Sequence, residues 1–278
     1  MTTTPTTPYT SPIPVRRAHL GDAVASEWTK MRSLRSTVWT LGVMVVLVVG
    51  FGALLAFALD GVAEGVPEEE IEPRGSVLGL GLPGMMLATV CVITLGVLTI
   101  SSEFGTGMIR TTLTACPSRS RVLTAKAIVF FAVVFVTTTL VSAVTAVVQS
   151  AMLGTTSGAS AGQWLRVTVG VGLFMACLGL LSLAVGALLR HSAGSITAMI
   201  GLVLLPYVLA IGMYANALHG VRDTLVEYSI PTLLSAMYTE GLASDVPMTS
   251  GWGALWILAG VTAAALGGAY LVLDRRDA

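Results

Sequence analysis

The chain has 278 residues, of which 54% are hydrophobic and only 11% charged, and its mean hydropathy is +0.84. Ordinary soluble domains carry about a quarter charged residues, so this composition excludes a water-soluble globule and implies a bilayer protein. Fifteen basic and fifteen acidic side chains cancel, and no basic excess points to nucleic acid.

In chain order, the first element is a tail. "MTTTPTTPYTSPIP" has neither the charged start nor the apolar core of a signal peptide, and residues 1–17, rich in Thr and Pro, read as a disordered segment. Residues 18–37 follow as an amphipathic helix lying on the membrane. Leu20, Val24, Trp28, Met31 and Val38 form its apolar stripe, while Asp22, Ser26, Glu27, Lys30 and Arg35 fall on other faces. Trp28 with Lys30, Arg32 and Arg35 suits an anionic leaflet, which attracts each surface cation by about 1 kcal/mol. The helix serves as a topological anchor, a partner contact, or both.

Residues 38–278 read as an all-α membrane domain. Six apolar runs, at about 38–59, 77–100, 127–148, 167–189, 195–217 and 252–273, are each long enough to cross a hydrocarbon core of about 30 Å. None contains Asp, Glu, Lys or Arg. The third, "AIVFFAVVFVTTTLVSAVTAVV", has the β-branched content of a strand, but lipid requires the backbone to satisfy itself within the segment, so helix is expected. Pro206 removes a donor inside the fifth and predicts a kink. With the N-terminus inside, twelve of the fifteen cations lie in cytoplasmic segments and only Arg74, Arg166 and Arg222 lie outside, so both termini are expected in the cytoplasm of a multi-pass cell-membrane protein. Trp39, Trp164 and Trp252 fall at span ends as interfacial anchors.

Enzyme motifs fail on context. "GLGLPG" opens a membrane span and lacks a preceding strand, which the dinucleotide fingerprint requires. "GASAG" around Ser160 lies in a short external loop, where it reads as a small-residue linker. His19, His191 and His219 are scattered and the three cysteines read as apolar fillers, so no metal, cofactor, disulfide or catalytic site is expected. No phosphate loop is present either, and any ATP hydrolysis must belong to another chain.

Glycines carry a positive signal. Gly172, Gly179 and Gly186 in the fourth span, and Gly253, Gly260 and Gly267 in the sixth, recur every seven residues on one helix face, which permits close helix packing within the bundle or across a dimer. Ion-coupled transporters usually keep ionisable groups near the midplane, and these spans have none. If the chain moves a solute, energy enters from outside the bundle.

The segment joining spans two and three, "SSEFGTGMIRTTLTACPSRSRVLTAKA", is strongly structured for a tether. Together with the lead helix "SEWTKMRSLRSTVWTL", "LGLLSLAVGALLRHSAGSI" across spans four and five, and the terminal "LVLDRRDA", it resembles the ABC type 2 transporter permease family, in its short six-span form with a separate ATPase subunit. The resemblance runs from about residue 20 to the end, and its most specific feature is the Glu103 to Thr106 core followed by a basic run.

That resemblance implies the permease subunit of an ATP-driven exporter, two copies forming the pathway, with a coupling helix in residues 101–126 docking on the ATPase. The coupling residues it marks are Glu103, Phe104, Gly105, Thr106, Gly107, Met108 and Arg110. On this reading Ser101 or Ser102 caps a short helix and Glu103 stands near its positive N-terminal end, linked to the partner or to an Arg of the lead helix. Gly105 and Gly107 make the turn, Met108, Ile109 and Leu113 give an apolar edge beside Arg110, Pro117 ends the helix, and Arg119, Arg121 and Lys126 hold the next helix at the headgroups. The same segment also reads as a plain topogenic basic loop. In the external segment, 218–251, the resemblance implies two short half-inserted helices, and "SIPTLLSAMYTEGLAS" is compatible, with Pro231 in a first turn. Other classes stay open: an ion- or proton-coupled secondary transporter, or a non-transport immunity or sensory membrane protein.

Overall fold

A computed structural model describes residues 19–63, 77–115, 118–153, 159–213, 218–239 and 249–275. The tail 1–17, Pro117 and residues 240–248 of the external segment lie outside the described residues. Every regular element among those described is helical: α1 (Leu20–Ser33), α2 (Arg35–Ala63), α3 (Leu82–Thr106), α4 (Met108–Ala115), α5 (Arg119–Met152), α6 (Ala161–Leu165), α7 (Val171–Leu189), α8 (Ser192–Gly212), α9 (His219–Glu227), α10 (Ile230–Thr239) and α11 (Gly251–Arg275). A 3-10 turn, Val77–Gly81, leads into α3, and a π turn, Arg166–Gly170, joins α6 to α7.

Among the described residues six helices are long and apolar enough to cross a bilayer, over Arg35–Gly61, Val77–Thr106, Ser120–Met152, Ala161–Leu189, Ser192–Ala210 and Gly251–Leu273. These are the six expected spans, and the β-branched third run is helix, because lipid offers backbone groups no other partner. Pro206 stands inside α8, which runs unbroken to Gly212.

Burial sorts the spans into two layers. In the fourth span, Ala161–Leu189, 72% of the most apolar stretch is buried, against 22% in the spans of α2, α8 and α11, so α7 is the central post and the other three present apolar sides outward. Around α7 pack α3, α5 and α11. Ser142 donates to the Val167 carbonyl at 2.6 Å, Thr262 to that of Cys177 at 3.1 Å, and Thr124 and Tyr270 share a hydroxyl contact at 2.7 Å. Such bonds matter inside lipid, where packing and interhelical polar contacts replace the hydrophobic effect as the source of association.

One end of the bundle, the α1 face, gathers α1, the start of α2, the end of α3, α4, the start of α5 and Arg190 at the end of α7. At the far face, α10 is tucked into the bundle, with Leu234 and Met237 fully buried. Its Met237 carbonyl accepts from the buried Arg166 Nε at 2.9 Å. Pro231 lies in the first turn of α10, behind Ser229, whose hydroxyl sits 3.4 Å from the Thr232 amide. Helix α9, by contrast, buries no residue. Ser160 of "GASAG" is a helix cap, accepting from Gln163 N while the Gln163 side chain accepts from Ser160 N, a reciprocal pair that opens α6.

Candidate functional site

Helix α3 does not stop where its apolar run ends near residue 100. It continues through Ser101 and Ser102 to Thr106, so neither serine caps a new helix, and Glu103 lies in the last turn of α3 instead of the first turn of the next helix. This corrects the expectation from sequence: the helix of span two runs on past its apolar stretch to Gly107, where φ is +71 and it closes on a left-handed residue. A carboxylate at a helix C-terminus meets the negative end of the macrodipole and is disfavoured there. Two ammonium groups reverse that.

Lys126, in the second turn of α5, is 2% exposed and donates to Glu103 Oε1 at 2.9 Å and to Glu27 Oε2 at 2.7 Å. Lys30 donates to Glu27 Oε1 at 3.0 Å and also to Glu103 Oε1. Glu27 and Glu103 are each 3% exposed. Two carboxylates and two ammonium groups thus form a neutral, alternating network that ties α1, α3 and α5 together. Neutrality explains its survival in a buried place, since an unpaired ion there costs several kcal/mol. Burial by itself pushes the Glu27 carboxyl up, but the charge of Lys126, its hydrogen bond and those of Lys30 outweigh this and hold it below its ordinary 4.5. Burial likewise pushes Lys30 down, while hydrogen bonds and charge from Glu103 and Glu27 hold it above its ordinary 10.5.

The lead helix is oriented by this network. Its buried residues are Glu27 and Met31, while Leu20 and Trp28 are 40% and 45% exposed. Of the expected apolar stripe, Met31 is buried in the bundle, Val24 is half-buried, and Leu20, Trp28 and Val38 are exposed on its outside. Leu34 adopts an extended conformation that ends α1 after Ser33, placing Val38 on α2. Lys126 is also corrected: it turns inward to Glu27 and Glu103 instead of holding the helix end at the headgroups. Glu27 and Lys126 were missed as site residues, yet the sequence carried a signal. Lys126 is in helical phase with Val122, Leu123, Val129 and Phe130, all buried, so the period places an ammonium on the inner face and demands a carboxylate.

The remaining marked residues sit beside the network. Phe104 carries the Arg190 guanidinium over its ring at 5.0 Å, joining the end of α3 to the end of α7. Gly105 is exposed and helical, the Thr106 hydroxyl donates to the Ser102 carbonyl at 2.8 Å, and Gly107 makes the turn. The short helix of this segment is α4, whose first residue Met108 is 45% exposed. Arg110 lies on α4, and its side chain, like those of Ile109 and Leu113, is outside the described residues. Arg32 and Arg35 are exposed on either side of the α1–α2 junction. Glu103 is linked to the lead helix, as expected, but through Lys30 and not an Arg.

A family profile described as ABC-2 family transporter protein matches residues 24–278. The chain belongs to this family. It is accordingly a membrane transport component of the ABC type, of the kind that associates with an ABC ATPase subunit. No curated protein matches the chain.

In this ABC-2 permease the two glycine series have different surroundings. A Cβ on Gly172 would lie 2.0 Å from Thr139 Oγ1, one on Gly179 2.6 Å from the Phe130 ring, and one on Gly186 3.2 Å from the Val97 carbonyl oxygen, so α5 and α3 close directly onto α7. Gly96 of α3 meets α7 likewise, 2.6 Å from the Gly179 carbonyl oxygen. On α11, Gly253 meets only the side chains of Thr249 and Ser250 just before it, and Gly260 and Gly267 have nothing within 4 Å. No group of His, Cys, Asp and Glu able to hold a metal occurs among the described residues.

Proposed function

We infer that the chain is the permease subunit of an ATP-driven exporter in the cell membrane, with both termini in the cytoplasm and the ATPase docking at the α1 face. Residues 101–126 then act as the coupling segment. Force on α4 reaches the bundle through the last turn of α3, and the ion network makes that turn move with α1 and α5 as one body. The single observation that carries this reading is the joint anchoring of Glu103 by Lys126 and Lys30, immediately before the Gly107 hinge and α4.

Physical reasons favour a work-transmitting role. A simple topogenic loop needs cations in water and gains nothing from two buried carboxylates, whose burial must be offset by ammonium partners. A lever, by contrast, needs a stiff joint at its base and a free pivot beyond it. Gly107 supplies the pivot, with nothing within 4 Å of where its Cβ would be, and exposed Met108 begins the contact surface with Arg110. Gly260 and Gly267, exposed on α11, suit close approach of a second copy and a homodimeric pathway. The α9–α10 pair at the far face would sit at the external exit.

The test is reconstitution with the partner ATPase in vesicles. The expected result is ATP-dependent solute efflux that Glu103→Ala and Arg110→Glu each lower at least tenfold, with the complex weakened by the second. Uphill transport by the isolated chain without nucleotide, or full coupling in both variants, overturns the proposal.

A further inference from the structure

A cavity of about 270 Å³ lies under the α1–α2 junction, roofed by α1 and walled by the first turns of α2, the latter part of α3 and Lys126 of α5. Its walls are of two kinds. Leu95 and Leu98 make an apolar side, while Lys30, Lys126, Ser36 and Thr37, with Ser102 and the Glu27 carboxylate beside the ammonium groups, make a polar one. Ser36 and Leu34 are exposed at its rim, so it communicates with the surface at the level where α2 enters the membrane.

The polar side has donors to spare. An ammonium carries three N–H bonds. Lys126 spends two, on Glu27 and Glu103, and Lys30 spends two on the same carboxylates, leaving one N–H on each. The Thr37 hydroxyl, on a residue only 5% exposed, makes no hydrogen bond among the described residues. Both oxygens of Glu27 already accept an ammonium each. Within the network Lys30 and Lys126 are balanced by Glu27 and by Glu103, whose buried Oε2 has no hydrogen-bond partner among the described residues, so the positive excess at this end comes from the exposed Arg32 and Arg35 at the α1–α2 junction outside the cavity.

We propose that this cavity is a binding site for an anionic phospholipid, whose phosphate is held by Lys30, Lys126 and Thr37 and whose upper acyl chain lies along Leu95 and Leu98. Size supports this division. At about 30 Å³ per water the space equals roughly nine waters, enough for a phosphate and a short stretch of chain but not for a whole two-tailed lipid. The rest of the molecule extends past the Leu34–Ser36 rim into the bilayer. Bound there, the lipid fills the gap between α1 and α2 and braces α1 against the bundle. This role is independent of whether α4 engages an ATPase.

The experiment uses the full-length chain, delipidated in neutral detergent, and measures binding of phosphatidylglycerol, phosphatidylcholine and inorganic phosphate by native mass spectrometry and by shift of the unfolding temperature. Phosphatidylglycerol is expected to bind at least tenfold tighter than phosphatidylcholine and to raise the unfolding temperature where phosphate does not. Leu98→Trp, which fills the apolar side, and Thr37→Val, which removes the hydroxyl at constant size, are each expected to weaken it at least fivefold. Should either variant fail to fold, a photoactivatable phosphatidylglycerol on the native chain is expected to crosslink within residues 30–40 or 95–102. Equal retention of the two lipids, an equal effect of free phosphate, binding untouched by both variants, or crosslinks confined to other segments overturns the site.

Discussion

Replacing Lys126 with Met keeps the length of the side chain and deletes its charge. Lys126 is 2% exposed and supplies two charge-assisted hydrogen bonds, at 2.7 Å to Glu27 and 2.9 Å to Glu103. In Lys126→Met the two buried carboxylates face only Lys30, whose side chain is 26% exposed, and one negative charge is left unmatched. Removing one partner from a buried ion pair costs about 3–5 kcal/mol. At roughly 2–4 °C per kcal/mol for a chain of this size, the unfolding temperature should fall by about 10 °C, measured by tryptophan fluorescence in detergent. The decisive comparison is the double variant Lys126→Met with Glu27→Gln, which restores neutrality as a Lys30–Glu103 pair. It should recover at least half of the loss, by about 2 kcal/mol. A loss under about 1 kcal/mol in the single variant, or a double variant less stable than the single, would refute the network as the clamp between α1, α3 and α5.

The same network sets a pH window. Glu27, held below its ordinary 4.5, contributes stability that is complete above 4.5 and is lost as pH falls through its lower folded value, whereas Lys30, held above its ordinary 10.5, contributes stability complete below 10.5 and lost as pH rises through its higher one. Unfolding temperature against pH should therefore lose the network's contribution at both extremes, and Glu27→Gln should flatten the acid limb; an unchanged acid limb would exclude Glu27 as its source. Gly179→Ala and Gly96→Ala, each placing a Cβ 2.6 Å from buried atoms, should cost about 1–3 kcal/mol in thermal unfolding, while Gly260→Ala, with open space around it, should lie within about 0.5 kcal/mol of the native chain. Gly260→Trp should then lower dimer content by light scattering without lowering monomer stability, and an unaltered dimer would remove α11 from the interface. Gly107→Ala, forced to the left-handed φ of +71, should cost about 1–2 kcal/mol, with Gly107→Asn milder, by the same unfolding assay.

The amino-acid sequence determined the elements whose cause is local. A run of about twenty apolar residues in lipid has one way to satisfy its backbone, so six spans, including the β-branched third, follow from composition and length alone. The lead helix, the Glu103 to Thr106 core with the basic run after it, the stretch across spans four and five and the terminal segment together resembled the family that the profile over residues 24–278 shows. Tertiary structure decided what depended on distant partners. Glu27 meets Lys126 across 99 positions and Lys30 meets Glu103 across 73, so no local window could tell that α1 turns its charged side inward and leaves Trp28 outside. The end of α3 was misjudged for a related reason: hydropathy marks where lipid stops, not where helix stops, and the helix persists to Gly107 because buried ammonium groups neutralise the carboxylate in its last turn. The heptad glycines looked alike in both series. Only the packed bundle separates those of α7, which lie against α3 and α5, from Gly260 and Gly267 on α11, because a missing side chain acquires meaning only from what fills the space it leaves.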